Sequence, residues 1–285
     1  MARCNMFRFV AALGLGVVAA AAWATDSAAE IMAKVAANQE RAQALRSAYV
    51  YQQSLQVRFL RSNGKLAREE NREYLVTPTP SGTEKKLARF SGRYSDGKRI
   101  IEYDQPGHTY KDLDLDGDLV SDLADDLAND EDSRDGIQAN LFPLTSKEQQ
   151  RYAFKLAGTD IHQGREVHRI TFRPAGPDPW DGGAPWSGEV LVDTKECQPI
   201  VVTTWLSKGI PLWVRTVLGT DVKHLGFKVT YQRFDDGVWF PVSYGGEFEV
   251  KGLFFYKRKI SVALRNEGFE RADVSSTVRY ASPDR

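Results

Sequence analysis

The first strong pattern of apolar and polar positions in the chain has the period of an α-helix. Ser27 and Glu30 have the spacing of a capping box, in which each side chain accepts a hydrogen bond from the other residue's backbone N–H. Four apolar residues recur near one face of the following turns, at Ile31, Val35, Ala42 and Leu45. The pattern therefore predicts an amphipathic helix over Ser27 to Arg46.

After this helix the period changes to two, which is typical of half-buried β-strands. Alternating runs separated by Gly, Asn, Pro and Asp turns are found at Val50–Leu60, Asn71–Val76, Lys86–Phe90 and Arg99–Tyr103. A second series lies at Tyr152–Ala157, Glu166–Phe172, Gly188–Val192, Pro199–Leu206, Leu253–Leu264 and Ser275–Tyr280. A short helical turn around Thr145–Gln150 precedes this second series.

The segment "GFKVTYQRFDDGVWFPVSYGGEFEV" gives the clearest local signal. Two period-two runs flank Asp236-Gly237, a pair that favours a type I′ hairpin turn. Pro241 has no N–H to donate to a ladder, so it predicts an edge or a bulge.

These patterns together predict a mainly β (α+β) fold. We count about ten or eleven strands and find no alternation of strand and helix, which excludes a parallel sheet. A twisted antiparallel sheet of this size tends to curl, and a few short helices cannot cover both of its faces. We expect one large curled sheet, an incomplete barrel, with an N-terminal helix, short lid or plug helices and an apolar cavity.

The N-terminal 24 residues are predicted to be a cleaved export signal. Arg3 and Arg8 precede a short apolar run from Phe9 to Ala22. Ala22-Trp23-Ala24 then has the small-x-small pattern that signal peptidase accepts. We therefore expect residues 25–285 to form a single periplasmic domain. Without these two arginines, the 38 basic residues of the chain become 36 against 38 acidic ones. A near-neutral chain has no bulk attraction to nucleic acid, and Cys197 alone cannot form an internal disulfide.

An acidic stretch from Lys111 to Gly136 allows two interpretations. Its start imitates a calcium loop with four candidate ligands, Asp112, Asp114, Asp116 and Asp118, but Leu123 occupies the twelfth position, where such a loop carries a glutamate. Leu119, Leu123 and Leu127 instead recur at four-residue spacing, which indicates one apolar helical stripe. We favour a solvated amphipathic helix capped by Asp116 or Asp118, and the calcium site stays as the weaker alternative.

The segment Ile210–Leu218 predicts a second short helix of unusual apolarity. Pro211 suits its first turn and Gly219 its end. It could pack into the sheet, or it could act as a lid over the cavity through Leu212, Trp213, Val217 and Leu218. The candidates for the rim of the same cavity are Trp180 and Trp186.

The late strands are rich in aromatic residues, most of which belong to an ordinary core. The functional alternative is that some of them line an open cavity, with Tyr231, Trp239, Phe240 and Phe254 as candidates. His108, His162, His168 and His224 are scattered, and the chain has neither a nucleophile elbow nor a phosphate-binding glycine loop. We therefore predict no cofactor, no catalytic residues and no enzymatic activity.

Three stretches share a layout of paired strands. Phe90 to Asp104 combines a strand, an Asp-Gly turn and a strand ending in Tyr-Asp. Gly188 to Trp205 contains two strands with an Asp-x-x-x-x-x-Pro connection, and Val229 to Tyr244 contains a later hairpin. In these stretches the chain resembles the outer-membrane lipoprotein-sorting family, the LolA-like and LppX-like periplasmic carriers. The resemblance implies a half-barrel with a helical lid whose cavity shields acyl chains from water.

The expected function is therefore that of a non-enzymatic carrier for lipid or lipoprotein acyl chains, with a transport partner in the inner or outer membrane. The alternative is an envelope sensor or structural module that binds a protein partner through the same fold. A metal-dependent hydrolase is disfavoured because no convincing set of ligands is present.

Overall fold

The computed structural model describes residues 27–79, 82–110, 114–129, 142–176, 186–207, 221–223, 225–234, 236–252 and 256–272. The described residues contain three helices, α1 (Ala28–Arg46), α2 (Leu115–Asn129) and α3 (Ser146–Gln149). The predicted capping box of α1 is present, since Ser27 N–H donates to Glu30 Oε2 at 2.6 Å and Glu30 N–H donates to Ser27 Oγ at 3.3 Å. The predicted helix is confirmed, with Ser27 as its N-cap and Arg46 as its last residue, but Leu45, which was predicted to lie on the apolar face, is 53 % exposed.

Twelve strands account for most of the described chain. The first four are β1 (Tyr49–Arg61), β2 (Leu66–Thr79), β3 (Gly82–Ser95) and β4 (Ile100–Tyr103). The next four are β5 (Tyr152–His162), β6 (Arg165–Pro174), β7 (Trp186–Asp193) and β8 (Pro199–Leu206). The last four are β9 (Asp221–Lys223), β10 (Gly226–Arg233), β11 (Trp239–Gly252) and β12 (Tyr256–Arg271).

All twelve strands belong to one antiparallel sheet that does not close into a barrel. Its order is β4-β3-β2-β1-β12-β11-β10-β8-β7-β6-β5, and the short β9 pairs with β11. The first and last long strands are neighbours, with Leu55 of β1 opposite Leu264 of β12. The predicted fold class, a single large antiparallel sheet with few helices, is confirmed.

The two faces of the sheet differ in what covers them. We call the covered face the one that carries Leu55, Val57 and Phe59 of β1, whose side chains are at most 2 % exposed. Buried residues of α1 and α2 join the same hydrophobic core, among them Ile31, Met32, Val35, Val120 and Ala124. The other face, which we call the open face, carries the intervening residues such as Ser54 and Gln56.

The hairpin between β10 and β11 is present, but its turn differs from the prediction. A type I′ turn at Asp236-Gly237 would make these two the central residues, whereas the hydrogen bonds place Gly237, with φ +85°, as the last residue of the turn. Gly237 N–H donates to Phe234 O and Phe234 N–H donates to Val238 O, both at 2.9 Å. The turn is therefore a longer loop that ends in a left-handed glycine.

Pro241 lies beside a shift in register, where Thr230 pairs with Ser243 and Tyr231 with Pro241. Pro241 was predicted to mark either an edge strand or a bulge. Because β11 lies inside the sheet, the bulge is confirmed and the edge strand is wrong. The predicted export signal and the strand at Ser275–Tyr280 lie outside the described residues. No helix within the described residues is long and apolar enough to cross a membrane.

Candidate functional site

Four of the predicted ligand-binding residues can be placed, and all four are buried. Trp186, Tyr231 and Trp239 belong to the main core on the covered face. Phe240 belongs to a separate small cluster, where it packs edge-on against Tyr49 with ring centroids 4.9 Å apart. The four side chains therefore do not share one open surface. The other six, which lie outside the described residues, are Trp180, Leu212, Trp213, Val217, Leu218 and Phe254.

The less completely buried part of the covered face is centred on Phe227. Its ring stacks on Tyr244 at 5.4 Å and meets Trp186 and Phe248 edge-on at 5.7 and 6.4 Å. Phe227 and Phe248 are only half-buried, although they pack against the core. The half-buried apolar residues of this region, which we call the aromatic end, also include Leu206, Leu225 and Val250.

Sequence reasoning did not select Phe227, Phe248 or Val250, although a signal for two of them exists. Phe248 and Val250 alternate with Glu247 and Glu249 along β11. Period two shows that the apolar pair shares one face, but it does not show which face the helices cover. The pairing of Tyr244 with Leu264, and of Leu264 with Leu55, supplies that information.

Helix α2 lies over the covered face beside β1 and β2. Its residues Val120 and Ala124 are fully buried against the sheet, while Leu119 and Leu123 are half-buried. The predicted apolar stripe is thus confirmed for Leu119 and Leu123. The predicted caps are not, because the Asp114 carboxylate receives Gly117 N–H at 3.1 Å and so caps a helix that begins at Leu115.

Three arginines of the sheet hold the aspartates of α2. The Arg68 guanidinium lies 2.6 Å from Asp114, and both side chains are 1 % exposed. Arg258 donates to both oxygens of Asp116 at 2.8 Å. Farther along α2, Arg72 donates to Asp125 at 2.8 Å. We call these three ion pairs the arginine latch.

Glu70, Tyr103 and Tyr256 form hydrogen bonds with residues of the arginine latch. Tyr103 donates its hydroxyl hydrogen to Glu70 at 2.7 Å and accepts from Arg68 at 2.8 Å. Arg72 donates to Glu70 through two nitrogens, at 2.8 and 3.1 Å. Tyr256 donates to Asp116 at 2.8 Å. The side chains therefore form two polar groups beside an apolar core, one around Arg68, Glu70 and Arg72 and the other around Arg258 and Asp116.

The first group keeps Arg68 charged, and the two groups keep Tyr103 and Tyr256 neutral. Burial lowers the pKa of Arg68, but the hydrogen bonds to Tyr103 and Asp114 outweigh it and leave that pKa above its usual value. Burial and the adjacent Glu70 raise the pKa of Tyr103. Burial and the adjacent Asp116 raise the pKa of Tyr256 in the same way.

The sequence signal for these buried ion pairs is the set of charged residues on β2. Arg68, Glu70 and Arg72 alternate along β2, opposite Phe59, Val57 and Leu55 of β1. Charged residues at period two usually indicate a solvent-facing side of a strand, so the pattern gives no sign of a site. Here they are buried because α2 supplies carboxylates from a distant part of the chain.

Three of the four calcium candidates can be placed. Asp114 and Asp116 each bind an arginine, and Asp118 is exposed, while Asp112 lies outside the described residues. Within the part of the chain that the structure describes, no three His, Cys, Asp or Glu side chains are close enough to hold a metal ion. The calcium site stays a prediction, and it would require both aspartates to exchange arginine for the ion.

The open face carries a groove of about 860 Å³ that spans β3, β2, β1, β12, β11 and β10. Arg89, Lys228 and Arg265 stand among serine, threonine and glutamine side chains there, together with Glu73 and Glu267. The groove is therefore polar and of mixed charge. It does not have the character of the apolar cavity predicted from the sequence.

The chain is similar to several solved structures, all at low sequence identity. No protein-family model matches it, and no curated protein matches it significantly. A DUF1329 family protein from Desulfovibrio piger matches with a TM-score of 0.42 and 12 % identity, over 89 % of this chain and 96 % of that one.

Two further matches carry the name of the family that the sequence resembles. One is a putative outer membrane lipoprotein-sorting protein domain from Vibrio parahaemolyticus, with a TM-score of 0.35 and 10 % identity over 83 % of this chain and 92 % of that one. The other is a LolA superfamily protein from Nitrosomonas europaea, with a TM-score of 0.33 and 11 % identity over 88 % and 96 %. Function has to be derived from the residues of this chain.

Proposed function

We propose that the protein is an exported, non-enzymatic carrier that binds the acyl chains of a lipid or lipoprotein on the covered face of its sheet. The observation that carries this proposal is the aromatic end, where half-buried apolar side chains continue the core toward solvent. An acyl chain packed there would gain about 0.8 kcal/mol for each methylene removed from water. Binding of this kind needs no catalytic group.

The attachment of α2 supports the same proposal. The helix covers the sheet with two fully buried small side chains, Val120 and Ala124, and is fastened by ion pairs at both of its ends. A helix that buries only two small side chains completely, with Leu119 and Leu123 half-buried, can leave the sheet without dismantling the core beneath α1. Its departure would extend the apolar surface of the aromatic end toward β1.

Native mass spectrometry of residues 25–285, purified without detergent, tests the proposal directly. We expect a bound apolar mass, or uptake of the neutral dye N-phenyl-1-naphthylamine with increased fluorescence. Phe248→Ala should weaken dye binding, since it removes a half-buried ring from the covered face. Glu247→Ala, the neighbouring change on the open face of β11, should leave dye binding unchanged. A protein that carries no ligand and takes up no dye would refute the carrier.

The groove on the open face favours a second candidate, a sensor or structural module that binds a protein partner. Its hydroxyl and amide side chains suit the hydrogen bonds of a polar peptide. A pull-down from the producing cell with wild-type protein and with Arg265→Glu tests this alternative. A partner that is lost with Arg265→Glu and kept with Phe248→Ala would support it.

A further inference from the structure

The charges of the arginine latch balance only while α2 is in place. The sheet contributes Arg68, Arg72 and Arg258, and of its own carboxylates only Glu70 contacts this set within the described residues. The other three carboxylates, Asp114, Asp116 and Asp125, all come from α2 and the residue that caps it. If α2 left the sheet, three guanidinium groups would face one carboxylate.

A purely apolar ligand cannot compensate for that loss. The side chains of Arg68 and Arg72 are 1 % and 3 % exposed, and an arginine in such surroundings requires an anionic partner. A ligand that displaced α2 with hydrocarbon alone would leave these charges beside a chain that cannot pair with them. A ligand with an anionic group could take over the hydrogen bonds that Asp114 and Asp116 now accept.

The geometry at Arg258 suits such an exchange. Arg258 donates through two nitrogens to the two carboxylate oxygens of Asp116. Arginine uses the same bidentate arrangement to bind phosphate or carboxylate groups of ligands. The Tyr256 hydroxyl donates to the same carboxylate. Arg258 is the most accessible of the three arginines, with 19 % of its side chain exposed.

We infer that the ligand of this protein is an anionic amphiphile, and that its headgroup replaces the aspartates of α2 on the arginine latch while its acyl chain occupies the covered face. In this arrangement α2 is an internal competitor of the headgroup. The inference rests on the proposed carrier function and specifies the class of ligand.

Two lipids that differ only in the phosphate provide the test. Displacement of N-phenyl-1-naphthylamine is measured with 1-palmitoyl lysophosphatidic acid and with 1-monopalmitoylglycerol, both as monomers, and with palmitate as a carboxylate probe. We expect the phosphate lipid to bind about 10-fold or more tightly than the glyceride, the scale of a charge-assisted hydrogen-bonded pair. Hydrogen exchange of the α2 amides should accelerate with the phosphate lipid and not with the glyceride.

Two substitutions break the same ion pair with opposite consequences. Arg258→Gln removes the receptor for the headgroup, so the preference for the phosphate lipid should fall toward onefold. Asp116→Asn removes the competitor, so the phosphate lipid should bind several-fold more tightly than to the wild type. Lys259→Gln is the matched control, because it removes a positive charge from the open face of the same strand and should leave the preference unchanged.

The outcomes separate the two proposals. If neither lipid displaces the dye, the carrier function fails together with the inference. If both lipids bind equally well, the carrier survives and the anionic ligand is refuted. A preference for the phosphate lipid that Arg258→Gln does not reduce would place the headgroup elsewhere and also refute it. Tight binding of palmitate would extend the anionic class to carboxylates, and weak binding would restrict it to phosphates.

Discussion

Gly92→Ala tests whether the arginine latch depends on a single close approach between two strands. Gly92 of β3 lies directly opposite Tyr103 of β4, and the phenol ring covers the glycine. A Cβ at position 92 would lie 2.1 Å from the ring carbon that bears the hydroxyl. Gly92 does not have a positive φ, so alanine is acceptable to the backbone and the conflict is with the ring alone.

The expected loss of stability follows from the two hydrogen bonds that the displaced ring gives up. Tyr103 bridges Arg68 and Glu70, and hydrogen bonds to charged groups contribute about 1.5–3 kcal/mol each. Replacing glycine by alanine at a compatible backbone position returns about 0.4–1 kcal/mol through the unfolded state. The net prediction is a decrease of about 2–5 kcal/mol in the free energy of unfolding, a large share of the roughly 5–15 kcal/mol of typical domains.

Urea unfolding followed by circular dichroism measures the effect, and a double-mutant cycle isolates its cause. In a Tyr103→Ala background the ring is gone, so the added methyl group has room. There Gly92→Ala should be neutral or stabilising, which reverses its sign. Tyr103→Phe keeps the ring over Gly92 and reports on the hydroxyl alone. A Gly92→Ala protein within about 0.5 kcal/mol of wild type, or an equal effect in both backgrounds, would refute the reasoning.

Four further outcomes follow from the same structure. Asp114→Asn keeps a side chain that can cap α2 but removes the carboxylate that lies 2.6 Å from the buried Arg68, so it should destabilise by about 3–5 kcal/mol in urea unfolding. Asp125→Asn at the exposed end of α2 should change the same quantity by less than about 1 kcal/mol, and similar losses from both would contradict the assignment. Burial alone would raise the pKa of Glu69, but hydrogen bonds from Arg93 and Arg58 hold that pKa below the ordinary 4.5. The Glu69 carboxylate therefore stabilises the fold above that pH, and this stabilisation is lost as the pH falls below it. Glu69→Gln should flatten the dependence of the urea midpoint on pH between about pH 5 and pH 3. Burial, with the nearby Glu148, raises the pKa of Tyr152 to about 12, so its stabilisation is full below pH 10 and declines above it. Its hydroxyl has no hydrogen-bond partner among the described residues, and Tyr152→Phe should therefore be nearly neutral at pH 7 and more resistant to alkaline unfolding.

The arginine latch gives α2 a different kind of attachment from that of α1. Helix α1 buries three apolar side chains larger than alanine and donates from Asn38 to the turn between β7 and β8, at Glu196 O and Cys197 O. Helix α2 places only Val120 and Ala124 in the fully buried core, adds the half-buried Leu119 and Leu123, and is also attached by ion pairs.

The sequence by itself determined most of the secondary structure and the class of fold, although β9 was not predicted and the strand expected at Leu253–Leu264 is β12, Tyr256–Arg271. The capping box at Ser27 and Glu30 marks the start of α1, and the alternation along β10 and β11 marks both strands of their hairpin, because these signals act between residues close in the chain. It missed the type of the turn at Gly237 because the length of a hairpin loop depends on the register of the strands that flank it. It could not choose the aromatic residues of the site, since alternation does not show which face helices will cover.

Only the tertiary structure decided where the charges go. Arg68, Glu70 and Arg72 have the pattern of a solvent-facing stripe on β2, and Asp114 and Asp116 have that of calcium ligands or caps. The partners lie far apart in the chain, since Arg68 and Asp114 are separated by 46 positions and Arg258 and Asp116 by 142. A charged side chain is buried when a partner of opposite sign is buried beside it, and that partner is supplied by folding and not by sequence neighbours.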